Sequence, residues 1–137
     1  MKFGGRLTRD ERGVAVIEMA FALPILILMI WMFVQLAQVY RAVAGIQQAL
    51  GEGARLATIW PTPDAGDIKD KIEESVYGIG PGDFEVDDPE IANDGTATGN
   101  FYDLRVTYTQ ETNLLFVPGP DISVVRTKRV WVAGGAA

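Results

Sequence analysis

Between Val14 and Val34 the chain reads VAVIEMAFALPILILMIWMFV, with one charged side chain, Glu18, and one proline, Pro24. A helix of about 20 apolar residues crosses the ~30 Å hydrocarbon layer of a bilayer, so this run predicts a single membrane span. Apolar side chains fall on every side of such a helix, as suits one surrounded by lipid or by other apolar helices. Pro24 predicts a kink, which a membrane helix tolerates because neighbouring groups rescue the freed carbonyl.

Lys2, Arg6, Arg9 and Arg12 precede the span, and Arg41 is the first basic residue after it. Positive charge stays on the cytoplasmic side. The expected division is therefore a cytoplasmic leader over 1–13, a membrane segment over 14–34, an exposed continuation of the helix over 35–60 and a periplasmic domain over 61–137. A cleavable secretory signal fits less well. Its apolar core runs ~7–15 residues, and here Arg41 and two glutamines precede the small-residue triplet Ala42-Val43-Ala44.

Composition narrows the function. Residues 35–137 carry 15 acidic and 8 basic side chains, a net of −7. Such a domain repels a polyanion, because nucleic-acid binding rests on phosphate neutralisation by clustered Lys and Arg. Nucleic acid is not an expected partner. The chain has no cysteine and no histidine, which removes disulfides, thiolate metal sites and the commonest general base. Its two serines, Ser75 and Ser123, have no histidine to activate them. No catalytic residue, metal or cofactor is expected, and the chain does not read as an enzyme.

Glu18 is the residue that most needs a reason. An ionised side chain at the middle of a membrane helix costs ~2.5–3.5 kcal/mol on insertion scales. Glu18 lies four residues into the span, about 6 Å deep at 1.5 Å per residue, where a plain snorkelling role is one account. A second account uses Gly13. Cutting after Gly13 would make Val14 the new N-terminus, whose α-amine, with an ordinary pKa of ~7.7–8.0, is mostly protonated at neutral pH. A carboxylate at the fifth position of that product can pair with the amine of an adjacent subunit. An unpaired charge there would be costly, so Glu18 sets register between helices.

The stretch Glu11-Arg12-Gly13-Val14-Ala15-Val16-Ile17-Glu18, followed by the apolar run with Pro24, resembles the N-terminus of type IV pilin-like precursors. Within that group it is similar to the TadE-like family of Tad (Flp) pilus systems, whose Gly-Ala-Arg motif at the end of the helix is matched by Gly53-Ala54-Arg55. Met19 departs from the pattern, in which an aromatic often follows the glutamate. The resemblance covers residues 9–58. It implies a minor pseudopilin of the inner membrane, processed by a prepilin peptidase between Gly13 and Val14, docked through Glu18 and partnered by lipid and other pilin-like subunits. An uncleaved, signal-anchored periplasmic binding domain is the alternative. The major pilus subunit fits less well, being much shorter, and a TadF-like role is not separated from a TadE-like one.

Past the membrane, Leu36, Val39, Val43, Ile46, Leu50, Gly53, Ala57 and Trp60 recur every three or four residues. This stripe predicts one helix from Val14 to Ala57 whose exposed half packs on the protein's own sheet, with a further use against partner helices. Gly45, Gly51 and Gly53 mark bends or close packing. Trp60-Pro61-Thr62-Pro63 ends the helix. A short amphipathic helix follows over 67–77, with Ile68, Ile72 and Val76 on one face and Lys69 four residues from Glu73.

Residues 101–109 alternate, with Tyr102, Leu104, Val106 and Tyr108 on one side, and predict a half-buried strand. A strand around 84–86 and one long or two short strands over 122–132 complete an antiparallel sheet, separated by a turn at 117–120. The acidic run over 83–94 lacks EF-hand spacing, so a solvated loop with a turn at Asn93-Asp94-Gly95 is expected ahead of a calcium site. The fold class is α+β, a long N-terminal helix with a small pilin-like domain.

Overall fold

The computed structural model describes residues 11–61, 63–96 and 99–132. The long helix, α1, runs unbroken over Glu11–Ala57 with Pro24 inside it, about 70 Å at 1.5 Å per residue. It begins three residues earlier than expected and ends where predicted. Beyond Ala57 the N–H groups of Thr58 and Ile59 donate to the Arg55 and Leu56 carbonyls at 3.3 and 3.0 Å, closing the final turn.

α1 changes character at Gln35. From Val14 to Val34 no residue is buried. From Gln35 onward one face is: Gln35, Val39, Ala42, Val43, Ile46, Ala49, Leu50, Ala54 and Ala57 are each at most 9% exposed. The interior of the predicted stripe is correct, and its two ends are not. Leu36 is 46% exposed, and its place is taken by Gln35. Trp60 is 79% exposed because it lies past the end of the helix.

The second helix, α2, spans Ala65–Ser75 and starts earlier than expected because the Asp64 side chain caps it, accepting from the Asp67 N–H at 2.9 Å. Such a cap is worth about 1 kcal/mol. Ile68 and Ile72 are fully buried, each contributing on the order of 1.5–3 kcal/mol by burial. Gly53 makes this packing possible, since a Cβ there would run into Ile72. Gly45 similarly admits the Tyr77 carbonyl against α1, while Gly51 faces open space apart from Lys128 Nζ at 3.9 Å. Close packing, not bending, explains the first two.

Four strands follow: β1 over Asp83–Val86, β2 over Ile91–Asn93, β3 over Asn100–Gln110 and β4 over Ile122–Trp131. All pair antiparallel with β3, the central strand. β4 takes one edge over its whole length. β1 and β2 share the other, β1 against residues 106–109 and β2 against 100–102. Asp87-Asp88-Pro89-Glu90 interrupts that edge, as a proline, lacking an N–H, commonly does. β2 falls where the sequence predicts a loop; its three residues are all exposed, so no alternation announces it.

The even-numbered residues of β3 from Tyr102 to Gln110 are buried, together with Val130 and Val132. They form one core with the α1 face and α2. Tyr108 is fully buried, its hydroxyl 2.9 Å from the Ile79 carbonyl and 2.8 Å from the Gln110 side chain, and burial pushes its pKa upward. On the outer face Asp103 lies opposite Arg129, which donates two hydrogen bonds to it at 2.8 Å each and sits 4.0 Å over the Phe101 ring. The guanidinium holds the Asp103 carboxyl below the usual range.

Two stability measurements test this account, read as denaturant unfolding of the detergent-solubilised chain. Gly45→Ala is expected to destabilise by about 1–3 kcal/mol, overpacking against the Tyr77 backbone outweighing the gain in helix propensity. Gly51→Ala has room and is expected to stabilise by up to ~1 kcal/mol. Equal effects at the two positions would contradict the packing described. The second concerns pH. A carboxylate with a depressed folded pKa stabilises fully above its unfolded value of ~3.9 and loses that contribution as pH falls through the folded one. Stability is therefore expected to drop below about pH 4, and Asp103→Asn to flatten that drop. The effect is small because the pair is 52% and 43% exposed, where solvent screens it. Asp94, held low by hydrogen bonds from Thr96, leaves a residual slope in the same window.

Candidate functional site: an uncovered apolar helix

The candidate site is the first half of α1. Gly13 and Val14 lie in its first turns, where the leading N–H groups have no intrahelical partner and unwinding costs least. Val14 is 54% exposed. Glu18 is exposed one turn further on and forms no ion pair or hydrogen bond among the described residues. Around it Ile17, Met19, Phe21 and Ile25 are 59–72% exposed. Among the described residues, an acid thus stands alone on an apolar cylinder that no other part of the fold covers. Among the described residues α1 is the one helix long and apolar enough to cross a membrane, and none of its most apolar window is buried.

The Gly53-Ala54-Arg55 motif sits at the other end of α1, about 50 Å from Glu18 at 1.5 Å per residue. It is a packing site. Gly53 seats Ile72, Ala54 is 8% exposed, and Arg55 lies in the last turn, where a cation suits the helix dipole. The motif and the Gly13–Glu18 group are therefore not brought together.

Between these ends, the domain grips α1 at three heights. Arg41 donates to the carbonyls of Gly78 and Gly80 at 3.2 and 3.0 Å. Gln38 meets Gln110 at 3.5 Å. Nearest the apolar half, Gln35 and Asn113 form a reciprocal pair: the Gln35 amide donates to the Asn113 carbonyl at 2.7 Å and accepts from its N–H at 3.0 Å. Trp31 Nε1 donates to the Asn113 carbonyl and side-chain oxygens at 3.1 and 2.9 Å. This cluster has no signature in the sequence beyond a tryptophan and a glutamine one turn apart at the end of an apolar run.

The acidic run does not gather into a cation cage. Lys69 binds Asp88 at 2.6 Å, rather than Glu73, and Arg105 lies 3.9 Å from Asp87. Asp94 accepts from Thr96 within the expected turn, where Gly95 has a φ of 89°. Asp88 raises the pKa of Lys69 through that hydrogen bond. Among the described residues no three acidic side chains are placed to hold a metal ion. An open hollow beside the run is lined by Lys69, Glu85, Asp87, Asp88, Glu90 and Arg105 among others; Lys69 and Arg105 neutralise Asp88 and Asp87 within it.

The family model described as TadE-like protein matches residues 13–55, from Gly13 through the Gly53-Ala54-Arg55 motif. The sheet domain lies outside the matched stretch. No curated protein and no solved structure matches the chain. The match coincides with the residues that carry the resemblance in sequence: over 13–55, the apolar helix and its packed extension, the chain is similar to TadE-like proteins, and this stretch holds the one candidate membrane-spanning helix among the described residues.

Proposed function

We propose that the protein is a minor pseudopilin-like subunit for assembly or initiation of a Tad pilus, and that it is a structural component and not a catalyst. The observation that carries this reading is the exposed Glu18 on an otherwise apolar, uncovered helix, five residues after Gly13, inside the TadE-like stretch. In the proposed sequence of events, a prepilin peptidase cuts between Gly13 and Val14 on the cytoplasmic side of the inner membrane. The new Val14 amine of one subunit pairs with Glu18 of its neighbour. The apolar faces from Val14 to Val34 then pack on other pilin-like helices or on lipid, and the sheet domain stands in the periplasm.

A second reading is an uncleaved, signal-anchored interaction domain. The continuity of α1 through Gly13 favours it, because a peptidase needs the scissile segment unwound. N-terminal sequencing of the protein from cells with an active prepilin peptidase separates the two. A chain beginning at Val14 is expected; one beginning at Met1 supports the anchor. Glu18→Ala and Glu18→Gln are expected to insert in the membrane normally and to reduce piliation severely. Normal piliation in both variants would remove the docking role from Glu18.

A further inference from the structure

The loop between β3 and β4 ends in Leu114-Leu115-Phe116-Val117, four apolar residues beyond an isolated bridge between Asn113 and Pro118. Phe116 is 95% exposed, Val117 58%, and Leu114 and Leu115 38% each. Single exposed apolar residues are ordinary on a protein surface, but a contiguous patch of them marks a contact. Among the described residues nothing covers this one.

Its position identifies the contact. Gln110 meets α1 at Gln38, and Asn113 meets it at Gln35 and Trp31. Three residues along the hairpin thus correspond to as many as seven along the helix, all towards the apolar half. The tip follows Asn113, and the helix on that side is the run ending at Val34. A tryptophan at the end of such a run is typical of the membrane–water boundary, where its ring and N–H are both satisfied. Trp31 spends its N–H on Asn113, tying the base of the loop to that boundary.

From these placements we infer that the tip Leu114–Val117 dips into the lipid interface beside α1 and forms a second membrane contact for the domain. This rests on reading Val14–Val34 as a membrane span. The occupant is lipid and not a protein groove, because the loop is fastened at the level where the same chain's span leaves the hydrocarbon. Part of the tip backbone is satisfied internally: the Leu114 N–H donates to the Val117 carbonyl at 2.7 Å and the Phe116 N–H to the Leu114 carbonyl at 2.8 Å. The remaining groups need water, so the depth is interfacial. Glu111 and Asp121 flank the loop and are exposed, which stops deeper entry. No Lys or Arg lies between Arg105 and Arg126, so immersion depends on apolar area and not on anionic headgroups.

The full chain lacks cysteine, so single substitutions give unique spin-label sites. Phe116→Cys, Ile27→Cys and Thr127→Cys, each nitroxide-labelled and reconstituted in phosphatidylcholine nanodiscs, are compared for access by oxygen, which concentrates in lipid, and by a water-soluble nickel chelate. The expected depth at Phe116 lies between that at Ile27, in the span, and that at Thr127, on the outer sheet face. Phe116 is so exposed that its replacement leaves the core untouched. A water-like signal at Phe116 with a lipid-like one at Ile27 overturns the inference and leaves the span reading standing. Water-like signals at both overturn both. Exclusion of both reagents at Phe116 means a protein surface covers the tip, which also overturns it, as does immersion seen only when phosphatidylglycerol is added.

Discussion

The structure depends on the fact that, among the described residues, nothing covers the apolar side chains from Val14 to Val34. Each exposes roughly half its surface or more, apart from a few near a third. Removing apolar surface from water is worth about 25 cal/mol per Å². An isolated helix of this kind is therefore not tolerable in water, and lipid or another helix must complete it. The small domain is constrained in turn, since it must grip the same helix where it emerges and stay folded in water beside it.

The grip is built from small residues and amides. Ala42, Ala49 and Ala54, with Gly45 and Gly53, let α2, the Tyr77 segment and the sheet approach the helix axis closely, and Ile46 and Leu50 fill the gap between them. Gln35 closes the core at the end facing the apolar run. Gln35 is 5% exposed, and its amide is satisfied by both backbone groups of Asn113. A buried amide without partners would cost more than it returns; paired in this way it fixes the height of the domain on α1. That height sets Asn113, at the base of the β3–β4 loop, beside Trp31 and Gln35.

Glu18 belongs to a different part of the physics. It lies far from every packed residue of the domain, so it has no role in holding the fold together. Among the described residues it has no partner, and a charge on a membrane-length apolar helix is costly unless something outside the fold meets it, which is why the proposed docking role falls to it. The Gly-Ala-Arg motif is the converse case. Singled out by resemblance, it serves packing and capping within the chain.

The sequence by itself determined whatever is local and periodic. The candidate span follows from an uninterrupted apolar run, the reach of α1 to Ala57 from spacings of three and four, and the buried face of β3 from strict alternation between Tyr102 and Tyr108. The TadE-like character of residues 13–55 was legible from the Gly13–Glu18 spacing and the Gly53-Ala54-Arg55 motif. Tertiary structure decided the rest. Gln35 is buried in place of Leu36 because Asn113, 78 residues away, supplies its partners. Lys69 pairs with Asp88 because β1 brings the acidic run to α2. β2 exists because β3 offers a free edge, not because Ile91–Asn93 carry a pattern of their own. Leu114–Val117 gain meaning only from where the hairpin lays them. These are long-range choices, made by surfaces that the chain creates only after its local elements have formed.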